Sequence, residues 1–374
     1  MPFRWPGTSN FLRGEGPLGI SLAACLLFAV RGPMLFAHLS NPIWLAGIFS
    51  GLFAIILGSG LAVVRHGEAL AEALGEPYGT LILTLSVTSI EAMSISAVML
   101  HGANNPTLVS QTLFAVVMIV MNLMVGLSLL LGAWRHKEQI HNLQGANTYL
   151  GVIIPLAVLS LILPNFTTTT SGPTLSPGQS ILLALASAGL YLIFLAVQTT
   201  RHSHYFKLAG DAGDEAVADG PQPPVPVAYH AVMLLAYLLP VIYLAEQFAH
   251  PVDYVIETLH QPVAIGGLAM ALIVATPEAI GAVRAARAND LQRSINISLG
   301  SVLSTIGLTV PIMLIMSEVT GHSLYLGLRD SGSVMLMLTL ALSIVTFASG
   351  RTNVMQGAVH LILFMGYFAL IFQS

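Results

Sequence analysis

Two short stretches place a carboxylate where its neighbours offer it little water. Residues 86 to 96 read SVTSIEAMSIS, with Glu91 inside a segment, 78 to 100, that is otherwise apolar or merely hydroxylated. Residues 271 to 282 read ALIVATPEAIGA, with Glu278 in a similar setting. Laid glutamate over glutamate, the two share a hydroxyl residue two positions before the acid and an alanine after it: Ser89-Ile90-Glu91-Ala92 against Thr276-Pro277-Glu278-Ala279. No Lys or Arg lies comparably deep in an apolar segment. A charge at the centre of a bilayer costs at least about 2.5 kcal/mol on insertion scales. Two carboxylates kept there have to be neutralised, by protons or by a bound cation.

The surrounding residues are hard oxygen donors. Residues three and four apart share a helical face, which puts Thr84, Thr88 and Glu91 on one stripe, with Ser89 just off it. In the second stretch Thr276 precedes Pro277, which removes one helical hydrogen bond and crowds the carbonyl of Ile273; backbone oxygens near Val274 could then turn toward Glu278. Irregular backbone at membrane depth is tolerated where it lines a cavity. Asn122 from a fourth apolar segment, and Ser301 and Ser304 from one face of a ninth, extend the set. Taken singly, Thr84, Ser86, Thr88, Ser94 and Ser96 have the ordinary reading of helix-helix glue. Taken together, two carboxylates with hydroxyls and carbonyls make an oxygen-only site that suits Ca2+, which takes about 6 to 8 oxygens. Na+ or K+ needs less negative charge. Burial and a neighbouring like charge both favour the protonated acid, so protons and a cation would exclude each other, up to two protons against one divalent ion.

These residues need a membrane to position them. The chain has 374 residues, 55% hydrophobic and 8% charged, with a mean hydropathy of +0.81, which marks an integral membrane protein. A spanning helix needs roughly 20 mostly apolar residues. Eleven such segments are expected: 17–37, 42–64, 78–100, 108–133, 148–164, 179–199, 227–246, 262–283, 295–317, 332–349 and 354–373. The fold class is therefore an all-α polytopic membrane protein with 11 transmembrane helices. The single cysteine, Cys25, excludes a disulfide framework and a thiolate cluster. The LAAC word ending at Cys25 resembles a lipoprotein cleavage box, but the chain stays apolar after it, so the segment is read as an uncleaved span.

Of the thirteen Lys and Arg, an N-terminus in the cytoplasm leaves only Arg31 and Arg329 outside, as the positive-inside rule favours. The C-terminus is then extracytoplasmic. Fifteen of the seventeen Asp and Glu fall in loops, tails or helix ends, Glu15 among them. Glu91 and Glu278 each lie in the second helix of a five-helix block. Five is odd, so the blocks face opposite ways, an arrangement characteristic of secondary transporters with a midplane site. The expected organisation is 1–40, an N-terminal tail and extra helix; 41–200, the first five-helix repeat; 201–226, an acidic cytoplasmic linker holding DAGDEAVAD at 211–219; and 227–374, the second repeat.

Other chemistries find little support. His101, His230, His250 and His260 read as solvated or interfacial, and His360, inside the last span, as a hydrogen-bonded structural residue or a proton relay. No HExxH word occurs, and both lysines, Lys137 and Lys207, lie in loops, which argues against a zinc enzyme and an intramembrane Schiff base. Nothing reads as a phosphate loop or a nucleic-acid site. The chain is expected not to be an enzyme and to need no resident cofactor: Ca2+, Na+ or K+, and H+, are cargo. Its partners are these ions and the lipid bilayer, with a homo-oligomer left open. A cation channel would use a continuous pore, and a scaffold would leave Glu91 and Glu278 without a role.

Longer words carry a resemblance over essentially the whole chain: VVRHGEALAEALGEPYGTLILTLSV at 63–87, LLLGAWRHKEQIHN at 129–142, PEAIGAV at 277–283, GSVLSTIGLTVP at 300–311 and GRTNVMQGAVHL at 350–361. The sequence resembles the cation/proton exchanger (CAX) family of the Ca2+/cation antiporter superfamily, most closely its bacterial ChaA-type branch. The resemblance implies one extra helix followed by two inverted-topology five-helix repeats, with Glu91 and Glu278 as central ion ligands in a bacterial inner membrane. It implies exchange of cytoplasmic Ca2+, or in this branch Na+ or K+, for external protons. Vacuolar members carry a Gly-Asn-x-x-Glu-His word in each repeat. Here Val87 and Thr88, and Val274 and Ala275, stand at the first two positions, Ala92 and Ala279 replace the histidines, and Ser304 stands where a glutamine is usual.

Overall fold

Inside a bilayer a backbone must satisfy its own polar groups, and a helix does so within one segment. The computed structural model describes residues 15–75, 78–101, 106–208 and 226–373, and most of them are helical. The long helices are α1 (Gly16–Phe36), α2 (Pro42–Leu74), α3 (Tyr78–His101), α4 (Leu108–His136), α5 (Leu143–Leu161), α6 (Pro177–Arg201), α7 (Val227–Thr258), α8 (Val263–Arg287), α9 (Leu291–Thr320), α10 (Asp330–Phe347) and α11 (Val354–Ile371). Ten of them are long and apolar enough to cross a membrane, and α3 carries a shorter apolar stretch, Leu81–Ala97. One two-stranded ribbon pairs β1 (Glu138–Ile140) antiparallel with β2 (Arg351–Asn353). The linker segment 211–219 lies outside the described residues.

Several boundaries differ from the apolar runs. At 33 residues α2 is about 50 Å long at 1.5 Å per residue, well beyond the hydrocarbon, because RHGEALAEAL is too polar for lipid yet rich in helix formers. α7 runs on to Thr258 in the same way. α5 begins at Leu143 because Asn142 caps it, accepting from the Gln144 N–H at 3.0 Å. The expected irregularity at Pro277 is absent: α8 is helical without a break from Val263 to Arg287. Wider π turns occur instead inside α4 (Ile119–Met124) and α9 (Thr305–Thr309), a feature frequent at functional sites.

The chain divides into two compact units that cut across the expected five-helix blocks. The first comprises Met1–Gly102 and Ala216–Gln261. In it α2 packs along α7, and both contact α1 and α3. Leu52, Ile56, Val63, Val241, Leu244 and Phe248 fill this interior. At one end of the unit Arg65 near the close of α2 meets Glu15 at the start of α1. At the other, the Trp44 indole N–H donates to the Leu35 carbonyl at 2.8 Å, and the Phe36 ring lies tilted against His250 with centroids 4.4 Å apart. Within this unit α1 and α7 therefore run from the first end to the second, and α2 runs back.

The second unit comprises Ala103–Glu215 and Pro262–Ser374. Its centre is α4, buried along most of its length. At one end lie the β1–β2 ribbon, Gln139 donating to the Ala286 carbonyl at 2.8 Å, the Asn142 N–H donating to Gln292 at 2.7 Å, and Asn296 donating to the Phe206 carbonyl at 2.8 Å. At the other end backbone bonds join Tyr325 to Pro106 and Leu328 to Leu161. Thus α4, α6, α8 and α10 all finish on one side, where α5, α9 and α11 begin. Arg135, Lys137, Arg201, Lys207, Arg284, Arg287, Arg293 and Arg351 sit at that end, and Arg329 at the other.

Candidate functional site

Glu91 occupies the middle of α3 in the first unit and is 2% exposed. On the stripe read from the sequence Thr88 and Glu91 are buried and Thr84 is half-buried; Ile95, one turn after Glu91, is buried too. The opposite face shows Leu85 and Met93 outward. Ser89, off the stripe, turns its hydroxyl onto the Leu85 carbonyl of its own helix at 2.6 Å. The Thr88 hydroxyl is buried without a hydrogen-bond partner among the described residues, and such a group calls for an explanation. It lies one turn from the carboxylate.

Glu278 lies in α8 of the second unit, half-buried. The Ser301 hydroxyl of α9 donates to its Oε2. Ser304 does not join it: its hydroxyl donates to the Ser301 carbonyl at 2.9 Å, and Thr305 donates to the same oxygen at 3.0 Å. Thr276 bonds back to the Leu272 carbonyl within α8. Val274 is buried in unbroken helix, and the only carbonyl that Pro277 deprives of its helical donor is that of Ile273.

Asn122 sits in the π turn of α4, wholly buried, but its amide is engaged elsewhere. It donates to Thr339 of α10 at 2.8 Å, and its Oδ1 lies 3.1 Å from His360 Nδ1 of α11. The other ring nitrogen of His360 is 2.9 Å from the Thr346 hydroxyl. An Nδ1–H imidazole that donates to Asn122 and accepts from Thr346 satisfies both nitrogens, which is the structural reading of His360. The sequence missed Asn122's partners because they come from helices more than two hundred residues away.

Of the residues singled out in the sequence, the second unit therefore brings Glu278 and Ser301 together. It turns Ser304, Thr276 and Asn122 to other partners. In the first unit Thr88 and Glu91 share one buried face. An all-α membrane protein whose deep-lying acids are set among hydroxyls has the parts of an ion carrier, and among the described residues no group of three or more His, Cys, Asp or Glu that could hold a metal accompanies them.

Comparison with known proteins agrees. The family described as sodium/calcium exchanger protein matches residues 44–200 and 229–373, and the chain belongs to it. The sodium-potassium/proton antiporter ChaA of Escherichia coli K12 is 40% identical over 321 residues, covering 85% of this chain and 86% of that protein. The Ca(2+)/H(+) antiporter ChaA of Bacillus subtilis 168 is 22% identical over 333 residues, 87% of this chain and 93% of that one. The fold matches a solved structure of native YfkE with a TM-score of 0.73 at 19% identity, over 95% of this chain and 99% of that one. The protein is a cation antiporter of the ChaA type, a transporter and not an enzyme.

Proposed function

We propose that this protein expels a cytoplasmic cation in exchange for external protons by alternating access, with Glu91 and Glu278 holding either the cation or protons. The observation that carries this reading is that the two acids in the interiors of apolar helices sit at matching positions in the sequence and keep hydroxyl company. Ser301 donates to Glu278, and Thr88 lies on the buried face of Glu91. The π turns midway along α4 and α9, the third helices of the two expected blocks, support the inverted repeat. The gathering of basic residues at one end of the second unit supports a cytoplasmic location for that end.

The first reading of the cation is Ca2+, because two carboxylates balance one divalent charge and the donors are all oxygen. The second is Na+ or K+, favoured by the 40% identity to a sodium-potassium/proton antiporter. Inverted vesicles carrying an imposed pH gradient separate them. Ca2+ added alone should collapse the gradient under the first reading, and Na+ or K+ under the second. If none of the three ions collapses it, proton-coupled exchange is wrong.

A further inference from the structure

At the end of the first unit where α1 begins, four residues of α2 and α7 converge on one buried carboxylate, and a fifth stands behind them. Glu15 is 8% exposed, and each of its oxygens is occupied. Arg65 Nη2 lies 2.9 Å from Oε1 and 2.8 Å from Oε2, the Tyr229 hydroxyl donates to Oε1 at 2.9 Å, and the Tyr237 hydroxyl donates to Oε2 at 2.8 Å. Burial alone would raise the Glu15 carboxyl, but the hydrogen bonds of Tyr237 and Tyr229 and the charges of Arg65 and His66 outweigh it, so it is held below the usual carboxylate range. A carboxylate so fully coordinated ties α1 to both α2 and α7.

The fourth neighbour makes this tie titratable. His66, 1% exposed, has Nε2 at 3.4 Å from Glu15 Oε2 and 3.2 Å from Arg65 Nη2. Its Nδ1 is 2.9 Å from Nδ1 of His230, which is half-buried on α7. Two nitrogens at that distance share one proton, so the two rings cannot both be fully protonated. In the neutral state His66 Nε2 can accept from Arg65 while Nδ1–H donates to His230. A proton added to the pair puts N–H on Nε2, turns its contact with Arg65 into one between two donors, and leaves that N–H to compete with Arg65 and Tyr237 for Glu15 Oε2. Among the described residues the groups facing the His66 ring are thus Glu15, Arg65, Tyr229, His230 and Tyr237.

We propose that this cluster is a proton-responsive latch that fastens α1 to α2 and α7, and that proton uptake by the His66–His230 pair loosens it. Because α2 and α7 both pack against α3, the helix of Glu91, a loosened latch alters the support of that helix. The link from latch to exchange rate rests on the transport reading; the latch itself does not.

The lone cysteine reports on the latch directly, since Cys25 of α1 lies with its sulfur 3.9 Å from the Pro240 carbonyl of α7. The alkylation rate of Cys25 in the full-length protein in detergent, divided by its rate in SDS at the same pH, removes the thiol's own titration. As pH is lowered through the imidazole range, about 8 to 5, this ratio should rise about fivefold or more. His66→Gln and His230→Gln should each abolish the step, and Glu15→Gln should give a high ratio at every pH. Should Glu15→Gln fail to fold, Arg65→Gln, altered at a half-exposed side chain, should raise the ratio instead. A flat ratio in the unaltered protein, or an unchanged step in both histidine variants, overturns the latch. Gradient collapse measured on the same preparations separates the two ideas: a step without exchange refutes the transport reading alone, and exchange without a step refutes the latch alone.

Discussion

The crossing of α8 over α4 gives a sharp prediction for Gly267→Ala. A Cβ at Gly267 would lie 2.8 Å from the Gln111 carbonyl carbon, 2.9 Å from the Thr112 nitrogen and 3.0 Å from the Gln111 oxygen, all backbone atoms. Ordinary contacts begin near 3.4 Å, so the helices must separate by about 0.6 Å to admit the methyl group. Nothing nearby can absorb that shift by changing rotamer, and Thr112, Met270 and Ala271 around the crossing are almost completely buried. Overpacking of this kind costs roughly 1–3 kcal/mol. Each kcal/mol lowers the melting temperature by about 2–4 °C in domains of 150–250 residues, so a loss of several degrees is expected in detergent. Because α8 carries Glu278 and α9 carries Ser301, the displacement should also reduce exchange. Gly51→Ala is the control: it is exposed on α2 with no atom within 4 Å of the added Cβ, and alanine in place of helical glycine is stabilising by roughly 0.5–1 kcal/mol. Thermal unfolding of the two variants side by side decides the matter. If Gly267→Ala melts at the same temperature as Gly51→Ala, the close approach of α8 to α4 is wrong.

Three further outcomes follow from the same geometry. Ser301→Ala removes a hydrogen bond to a carboxylate, an interaction of about 1.5–3 kcal/mol, so the cation concentration giving half-maximal gradient collapse should rise by about tenfold to a hundredfold. Thr346→Val leaves His360 Nε2 buried without a donor, at a cost of about 1–3 kcal/mol in thermal or denaturant unfolding, and Thr346→Ser should restore most of it. His141, outside the spans, is held below its ordinary value of 6.5 by burial, against the opposing hydrogen bond to the Phe347 carbonyl. Below pH 6.5 the unfolded chain therefore binds a proton that the folded chain resists, and stability should fall as pH drops from there toward the folded value. His141→Asn should flatten that slope in unfolding midpoints measured against pH.

Much of this fold was legible because lipid imposes a simple grammar: some twenty apolar residues per crossing, with charges outside. The ends of α2 and α7 were not, since RHGEALAEAL and the residues around His250 continue as helix beyond the apolar run, where propensity and packing rather than lipid decide. Glu91 and Glu278 stood out as acids in apolar runs, and the spacing of Thr88 and Glu91 placed them on one face, which is buried, with Thr84 half-buried a turn earlier. Spacing alone could not show that Ser301 reaches Glu278 while Ser304 turns back, because both lie just before a π turn that changes which carbonyls are open. Nor could it show that Asn122 is drawn to Thr339 and His360, or that Pro277 leaves α8 intact. The Glu15 cluster was invisible for a plainer reason. Its members lie at 15, 65–66 and 229–237, each an unremarkable polar residue near a helix end, and His230 read as solvated or interfacial until its partner His66 was in place.

The central claim is that Glu91 and Glu278 hold the exchanged proton or cation. Its most direct test is gradient collapse in inverted vesicles by Ca2+, Na+ and K+ with Glu91→Gln and Glu278→Gln, each matched to the unaltered protein for expression. Glutamine keeps the shape and removes the titratable charge, so each substitution should abolish the response to whichever ion the unaltered protein transports. Full exchange by either variant would contradict the assignment.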